Sequence, residues 1–542
     1  MRFSDRGNGN FQNPILFADY SDPDVIRVGD TYFMTASSFN YTPGLPILVS
    51  RDLVNWKLVN YALKNIPEER FSIPRHSQGV WAPSIRYHEG MFYIYYGMPD
   101  EGYFVIRAKD PYGEWEEPVC VLPGKGLIDP CPFWDEDGKA YVIHGYAKSR
   151  IGFKSILGIF EMSPDGLKAI TEDHFIFNGN DPEHPAVTIE GPKVYKRDGY
   201  YYIWAPAGGV VDGYQVVLRS ENIRGPYEIK EVMHTGSTVI NGPHQGGLVD
   251  TVNGDEWFIH FQDRGLYGRI CHLQPVSWKN GWPVVGVNPD ENDIGEPVYE
   301  LKKPDTGISE NIVYLESSDD FADGKYGLQW QWLGNHRDDF SGKSDTGALR
   351  LFSLNPSGEE EPVIWRSANV LTQKLIFPVF ETEIKMDVAG LKAGERAGIC
   401  MTGGQYISAY IEKADNDEFM LKIAESEGGD ADKIEVIKES FKTDLSPDKT
   451  EVIWKLRFDL DEEMDSEKLY FQNVHEPFTG KNPSLKISVQ LGDSEYRDLG
   501  VSYTPSDHTW VGAKLAIYAI SGNKDDIDHG YADFLYVKTK EL

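Results

Sequence analysis

Cysteine is scarce in this sequence: 542 residues hold four, Cys120, Cys131, Cys271 and Cys400. They make no CxxC pair and no metal-ligand spacing, which excludes a disulfide-stapled scaffold and a thiolate metal site. Four separate thiols fit a reducing compartment. Long hydrophobic runs are missing too; no eighteen consecutive apolar residues occur, so no membrane-spanning helix is expected. The first residues, MRFSDRGNGNFQNP, lack the apolar segment of a secretory signal, and a cytoplasmic location is expected. Positive charge is in deficit: 53 Lys and Arg against 85 Asp and Glu leave a formal charge of −32. Such a field repels phosphate backbones and anionic bilayers, so neither nucleic acid nor membrane is an expected partner, while a neutral ligand is unopposed. Helical periodicity is rare throughout.

Aromatic residues are plentiful, at 13% within a hydrophobic content of 40%, which is ample material for packed β-structure. The chain is too long for one core, so two or three domains are expected. Five segments share one pattern: RVGDTYFMTAS (27–37), HEGMFYIYYG (88–97), EDGKAYVIHG (136–145), RDGYYYIWAP (197–206) and VNGDEWFIHF (252–261). In each, a polar turn with glycine leads into a strand rich in Tyr, Phe, Val and Ile, a β-hairpin signature. The turn glycines, Gly29, Gly90, Gly138, Gly199 and Gly254, recur at spacings of 61, 48, 61 and 55 residues. Five copies of a unit about four strands long predict a five-bladed β-propeller. Trp56, Trp115 and Tyr227 follow turn-rich stretches and are expected to plug the outer parts of blades.

Beyond Trp282-Pro283 the texture turns polar, rich in Asp, Glu, Lys and Pro over 290–318. Alternation then resumes in segments such as Phe380–Met386 and Val452–Phe458 and predicts an antiparallel β-sandwich. The expected organisation is all-β: a propeller over 1–297, a linker over 298–318 and a sandwich over 319–542. The acidic stretch from Ala424 to Ser466 is expected in solvated loops and hairpin edges.

The repeat also predicts a site. Seven to ten residues before the turn glycines lie Asp22, Trp81, Asp129, Glu190 and His244, read as equivalent points on the inner strands. All five are expected to face the central axis. Three carboxyls in one mouth raise each other's pKa values, a cost that points to use.

These residues carry a resemblance. Ser21-Asp22-Pro23-Asp24, Gly79-Val80-Trp81-Ala82-Pro83, Ile128-Asp129-Pro130, Ile189-Glu190-Gly191-Pro192 and Tyr267-Gly268-Arg269 resemble, in order, the motifs of glycoside hydrolase family 43. Residues 319–542 are similar to that family's accessory sandwich, notably at Gly327–Trp332 and Gly530–Phe534. The resemblance implies an inverting glycosidase with Asp22 as general base, Glu190 as general acid and Asp129 keeping Glu190 protonated and oriented. Inversion needs the base and the acid roughly 6.5–9.5 Å apart to admit a water. Arg269 is implied as a sugar contact and Trp81 and Phe39 as an apolar wall. His244 takes the place of an axial histidine that binds sugar or stands, through water, beside a calcium ion. No cofactor is needed for the chemistry. Asp320 and Asp533 are offered as ligands of a structural calcium in the sandwich.

The expected activity is release of xylose from the non-reducing ends of xylo-oligosaccharides. An α-L-arabinofuranosidase on the same scaffold is the alternative, and a non-catalytic carbohydrate-binding propeller stands behind both. Single residues have plainer readings as well. Asp before Pro commonly caps a turn, His244 and Trp81 suit a core, and Arg269 suits an ion pair with Asp263. The oligomeric state is left open, with a homo-oligomer among the options.

Overall fold

The computed structural model describes residues 4–308, 310–459, 483–522 and 528–542. Five four-stranded antiparallel sheets follow one another along the chain, each with its strands in sequence order. Their first strands are Asp24–Val28, Trp81–His88, Leu127–Trp134, Lys193–Arg197 and His244–Asp250. First strands of the first four blades pack against their neighbours, the fifth returns to the first, and the Leu248 N–H donates to Tyr195 Oη between the fifth and the fourth, so they form the axial layer.

The repeated glycines join the first strand of each blade to the second. Gly29, Gly90, Gly138, Gly199 and Gly254 have φ of 65°, 82°, 84°, 83° and 87°. A Cβ added at any of them meets nothing within 4 Å. Backbone conformation rather than space therefore selects glycine there.

Apolar side chains meet between blades rather than within them. Phe33, Ile47 and Ile85 belong to the cluster between blades one and two, Tyr95, Val105 and Phe160 to the next. Ile143, Ile203 and Leu218 fill the third gap, and Trp204, Phe258 and Val285 the fourth. Trp56 is buried in the cluster between blades five and one. Burying a side chain of this size contributes roughly 1.5–3 kcal/mol. Trp115 and Tyr227 pack in the gaps preceding their own blades, as the plug pattern predicts.

The ring closes through the N-terminal segment. Asn13 Nδ2 donates to the carbonyls of Leu273 and Val298, and Asn13 Oδ1 accepts the Leu273 N–H. Leu16 bridges to Cys271, and the Tyr20 N–H donates to the Arg269 carbonyl at 3.0 Å. Residues 13–20 thus zip along a strand of blade five before entering blade one. Among its described residues the polar connection carries a single short strand, Glu300–Lys302, paired with Asn10–Gln12.

Among the described residues the C-terminal unit has two seven-stranded antiparallel sheets. Phe380–Asp387 shows why they pack face to face: buried and part-buried residues alternate along its whole length, placing Phe380, Thr382, Ile384 and Met386 inward. The acidic stretch from Ala424 contains the exposed edge strand Ile434–Lys442 and the strand Glu451–Asp459, and its residues 460–466 lie outside the described residues.

The two units are joined by polar contacts as well as packing. Thr42 pairs with Trp332, Asn40 Nδ2 donates to the Leu333 carbonyl, and Tyr267 Oη donates to the Pro378 carbonyl. His76 stacks on Trp365 with ring centroids 3.5 Å apart.

The calcium expected at Asp320 and Asp533 does not fit. Asp533 faces Arg350 across two paired strands and holds its guanidinium at 2.8 and 2.9 Å. Asp320 is exposed and caps the Ala322 N–H. Among the described residues no group of three or more His, Cys, Asp or Glu is placed to hold a metal.

Candidate active site

All seven residues singled out around the axis line one pocket of about 340 Å³: Asp22, Phe39, Trp81, Asp129, Glu190, His244 and Arg269. Their backbone explains the convergence. Asp22, Ala82, Asp129, Gly191 and Gln245 all have positive φ, at 55°, 33°, 58°, 56° and 35°. In blades two, three and five the ladder between first and second strands slips at this point. A bulge at the head of a strand re-aims its side chain. The true five-fold register is set here, and it corrects the expected one. Asp22 and Asp129 occupy the positive-φ position, whereas Trp81, Glu190 and His244 precede it by one residue. The structure therefore brings two offset rings into the same pocket. The alignment of Pro23, Pro83, Pro130 and Pro192 carries this signal, because each follows a positive-φ residue.

The carboxyls meet different surroundings. Asp22 is buried and accepts every hydrogen bond it makes. Arg269 Nη1 donates to Oδ1 at 2.9 Å, while Ser37 Oγ and Ser21 Oγ donate to Oδ2 at 2.6 and 2.9 Å. Ser37 Oγ in turn accepts the Ala82 N–H. Arg269 also reaches Ser21 Oγ, and its guanidinium lies over the Phe261 ring at 4.5 Å. Asp263 stands 3.9 Å away, so Asp22 is the closer ionic partner and the Asp263 reading is secondary.

Asp129 sits in the adjoining wall and accepts the Gly191 N–H at 2.8 Å. Burial, then the negative charges of Glu190 and Asp22, push its carboxyl up to about 8; the Gly191 N–H and the Lys193 ammonium oppose this. Lys193 is itself buried, on Ser84 Oγ and the Pro83 carbonyl. Glu190 is 28% exposed at its side chain, and its Oε1 meets His244 Nε2 at 3.1 Å. Glu190 and Asp129 come from neighbouring blades, while Asp22 is two blades from each around the ring.

His244 is buried, with Nε2 on Glu190 and its ring edge-on to Phe261. Of the six to eight oxygen ligands that calcium takes, the protein supplies one beside His244, from Glu190. Trp81 and Phe39 form apolar wall as expected. Trp81 Nε1 donates to the Ser77 carbonyl, and its ring stands 4.6 Å from Trp510 in a T-shaped pair.

Several pocket residues were not expected. Trp510 comes from the sandwich, Gln245 from the fifth bulge, Lys148 from the one-turn helix Lys148–Ile151, and Lys154 and Thr188 from loops of the propeller. Lys154 Nζ donates to Thr188 Oγ1 at 2.8 Å. Gln245 was within reach of sequence reasoning, as the residue following His244. Trp510 has no such signal.

A five-bladed propeller gathering paired carboxyls, an arginine and aromatic walls at its axis defines a glycoside hydrolase. Residues 11–283 match Glycosyl hydrolases family 43, and residues 318–540 match the beta xylosidase C-terminal concanavalin A-like domain. The chain belongs to family 43. It is 40% identical over 389 residues to a putative beta-xylosidase of Xylanibacter ruminicola, covering 72% of this chain and 70% of that one. It is 31% identical to a beta-xylosidase of Formosa agariphila across 98% of this chain and 90% of the relative. The fold matches a solved xylan beta-1,4-xylosidase from Bacillus halodurans with a TM-score of 0.80 at 23% identity, covering 98% of this chain and all of that one.

Proposed function

We propose that the protein is an exo-acting, inverting β-xylosidase that releases xylose from the non-reducing ends of xylo-oligosaccharides. The observation that carries the reading is the division of the pocket's acids. Asp22 is wrapped in donors, while Asp129 is buried with its carboxyl pushed up to about 8 by that burial and by the Glu190 and Asp22 charges. The Asp129–Glu190 pair lines the same pocket, with Glu190 its exposed member.

In this mechanism Asp22 is the general base. It takes a proton from a water as the water's oxygen bonds to the anomeric carbon. Glu190, the exposed member of the pair, delivers its proton to the glycosidic oxygen as that carbon–oxygen bond breaks. Asp129 keeps a proton in the pair when the site is free, and its own hydrogen bond to Gly191 anchors the backbone beside Glu190. His244 holds the orientation of Glu190. Arg269 keeps Asp22 aligned and borders the sugar, with Trp81, Phe39 and Trp510 as its apolar walls. Two carboxyls and a water complete the reaction without a cofactor.

The test is turnover of aryl β-D-xylopyranoside and α-L-arabinofuranoside by the purified chain and by Glu190→Gln. Xyloside hydrolysis abolished by the substitution supports the proposal. A preference for the arabinoside keeps the site and changes the sugar. No turnover of either, with binding of xylo-oligosaccharide retained, overturns the enzyme reading in favour of a binding propeller.

A further inference from the structure

A second cavity, of about 520 Å³, lies where the linker crosses the seam between propeller and sandwich. Tyr20, Leu58, Tyr61, Leu328 and Ile376 give it apolar walls, with Lys374 set among them and the exposed Lys57 and Glu316 at its mouth. The Lys374 ammonium makes one hydrogen bond, to Gln331 Oε1 at 2.8 Å, and stands 5.3 Å from the Tyr20 ring. Among the described residues no carboxylate lies within ion-pair distance of it. The nearby charges are Lys514 and Asp19, which already pair with each other at 3.3 Å. Lys374 is part-buried beside the buried Lys514–Asp19 pair, and its own positive charge is left without a partner at ion-pair distance. Burial and the Lys514 charge pull the Lys374 ammonium down to about 7, with Asp19 opposing. A buried charge without a partner is costly, and a counter-ion delivered through the cavity relieves it.

We propose that this cavity binds a small organic carboxylate with an apolar body, its carboxylate on Lys374 and its body against Tyr20, Tyr61 and Leu328. Domain junctions with apolar walls and one or two placed polar groups are where such ligands settle. An inorganic anion satisfies the charge but leaves the apolar wall uncovered. The site also touches the catalytic pocket. Tyr20 holds the Arg269 carbonyl through its N–H, and Asp19 accepts the Arg269 N–H at 3.1 Å. An occupant therefore rests on the segment that positions the Arg269–Asp22 pair.

Isothermal titration of the full chain with benzoate tests this, with benzamide and inorganic phosphate as comparators. Saturable binding of benzoate at one site is expected, at least about tenfold tighter than benzamide, with phosphate silent. Lys374→Met should weaken benzoate at least about tenfold, Lys374→Arg less, and Arg269→Met not at all. The idea fails if benzoate does not bind, if phosphate or benzamide matches it, or if Arg269→Met removes it. It fails equally if Lys374→Met, shown folded by its thermal transition, binds benzoate as well as the parent. Should that variant not fold, the contrast of benzoate with benzamide on the parent chain still decides.

Discussion

Asp22 and Asp129 hold the same backbone position two blades apart, at φ of 55° and 58°, and their surroundings are opposite. The seam between blades five and one gives Asp22 the Arg269 guanidinium from one side and the Ser21 and Ser37 hydroxyls from the other. The wall between blades three and four gives Asp129 one N–H, a deep burial and a second carboxyl. The bulge delivers an acid to the axis; the neighbouring blade decides what that acid can do. Repetition supplies geometry, and divergence between repeats supplies chemistry.

The most severe break in this contrast is on the donor-rich side. Asp22→Asn should lower kcat about 10³-fold or more, since no base remains for the water, with xyloside assays as the readout. Glu190→Gln should lose a comparable factor on alkyl xylosides but much less on 2,4-dinitrophenyl xyloside, whose leaving group needs no proton. Equal losses on both would reverse the assignment of acid and base.

Asp129→Asn should cost about 10²-fold in kcat and alter the alkaline limb of the pH–rate profile. It should also change stability in a direction the site dictates. The Asp129 carboxyl is raised in the folded state, so the native chain holds more protons than the unfolded one between about pH 4 and about pH 8. Stability from this group is full below that window and is lost as pH rises through it. The Asn variant lacks the loss, so its Tm relative to the parent should climb between pH 5 and pH 8. A constant difference would show that Asp129 titrates normally. Ser37→Ala removes one of the donors to Asp22 and should cost about tenfold in kcat/KM. Smallest of all, Trp510→Ala should raise KM about three- to tenfold with kcat little changed, because it removes apolar wall rather than a reacting group.

The fold was legible because its signals are local. Each turn glycine answers a backbone demand within one hairpin, and the alternation in Phe380–Asp387 needs only neighbours in sequence. Five of the pocket residues, Asp22, Trp81, Asp129, Glu190 and His244, were legible for the same reason, through the repeat, while Arg269 and Phe39 were legible through the family motifs. Their exact register was not, because a count back from the turn glycines varies between seven and ten residues, whereas the prolines mark the bulge itself. Glu190 and His244 consequently stand one residue earlier than Asp22 and Asp129. What escaped depends on distant contacts. Trp510 reaches Trp81 from more than four hundred residues away along the chain, across a domain seam. Asp533 is claimed by Arg350 through strand pairing that composition alone does not reveal.

The zipper along residues 13–20 has a consequence for how activity arises. The segment that fastens the first blade to the fifth ends two residues before Asp22, and its last rung is the strand that carries Arg269. Under the proposed roles, the latch of the ring and the seating of the catalytic base are one event. A growing polypeptide that ends before the Arg269 strand holds Asp22 without its guanidinium. Turnover thus acts as a proof of topological completion: the enzyme switches on when its two ends have found each other, and not before.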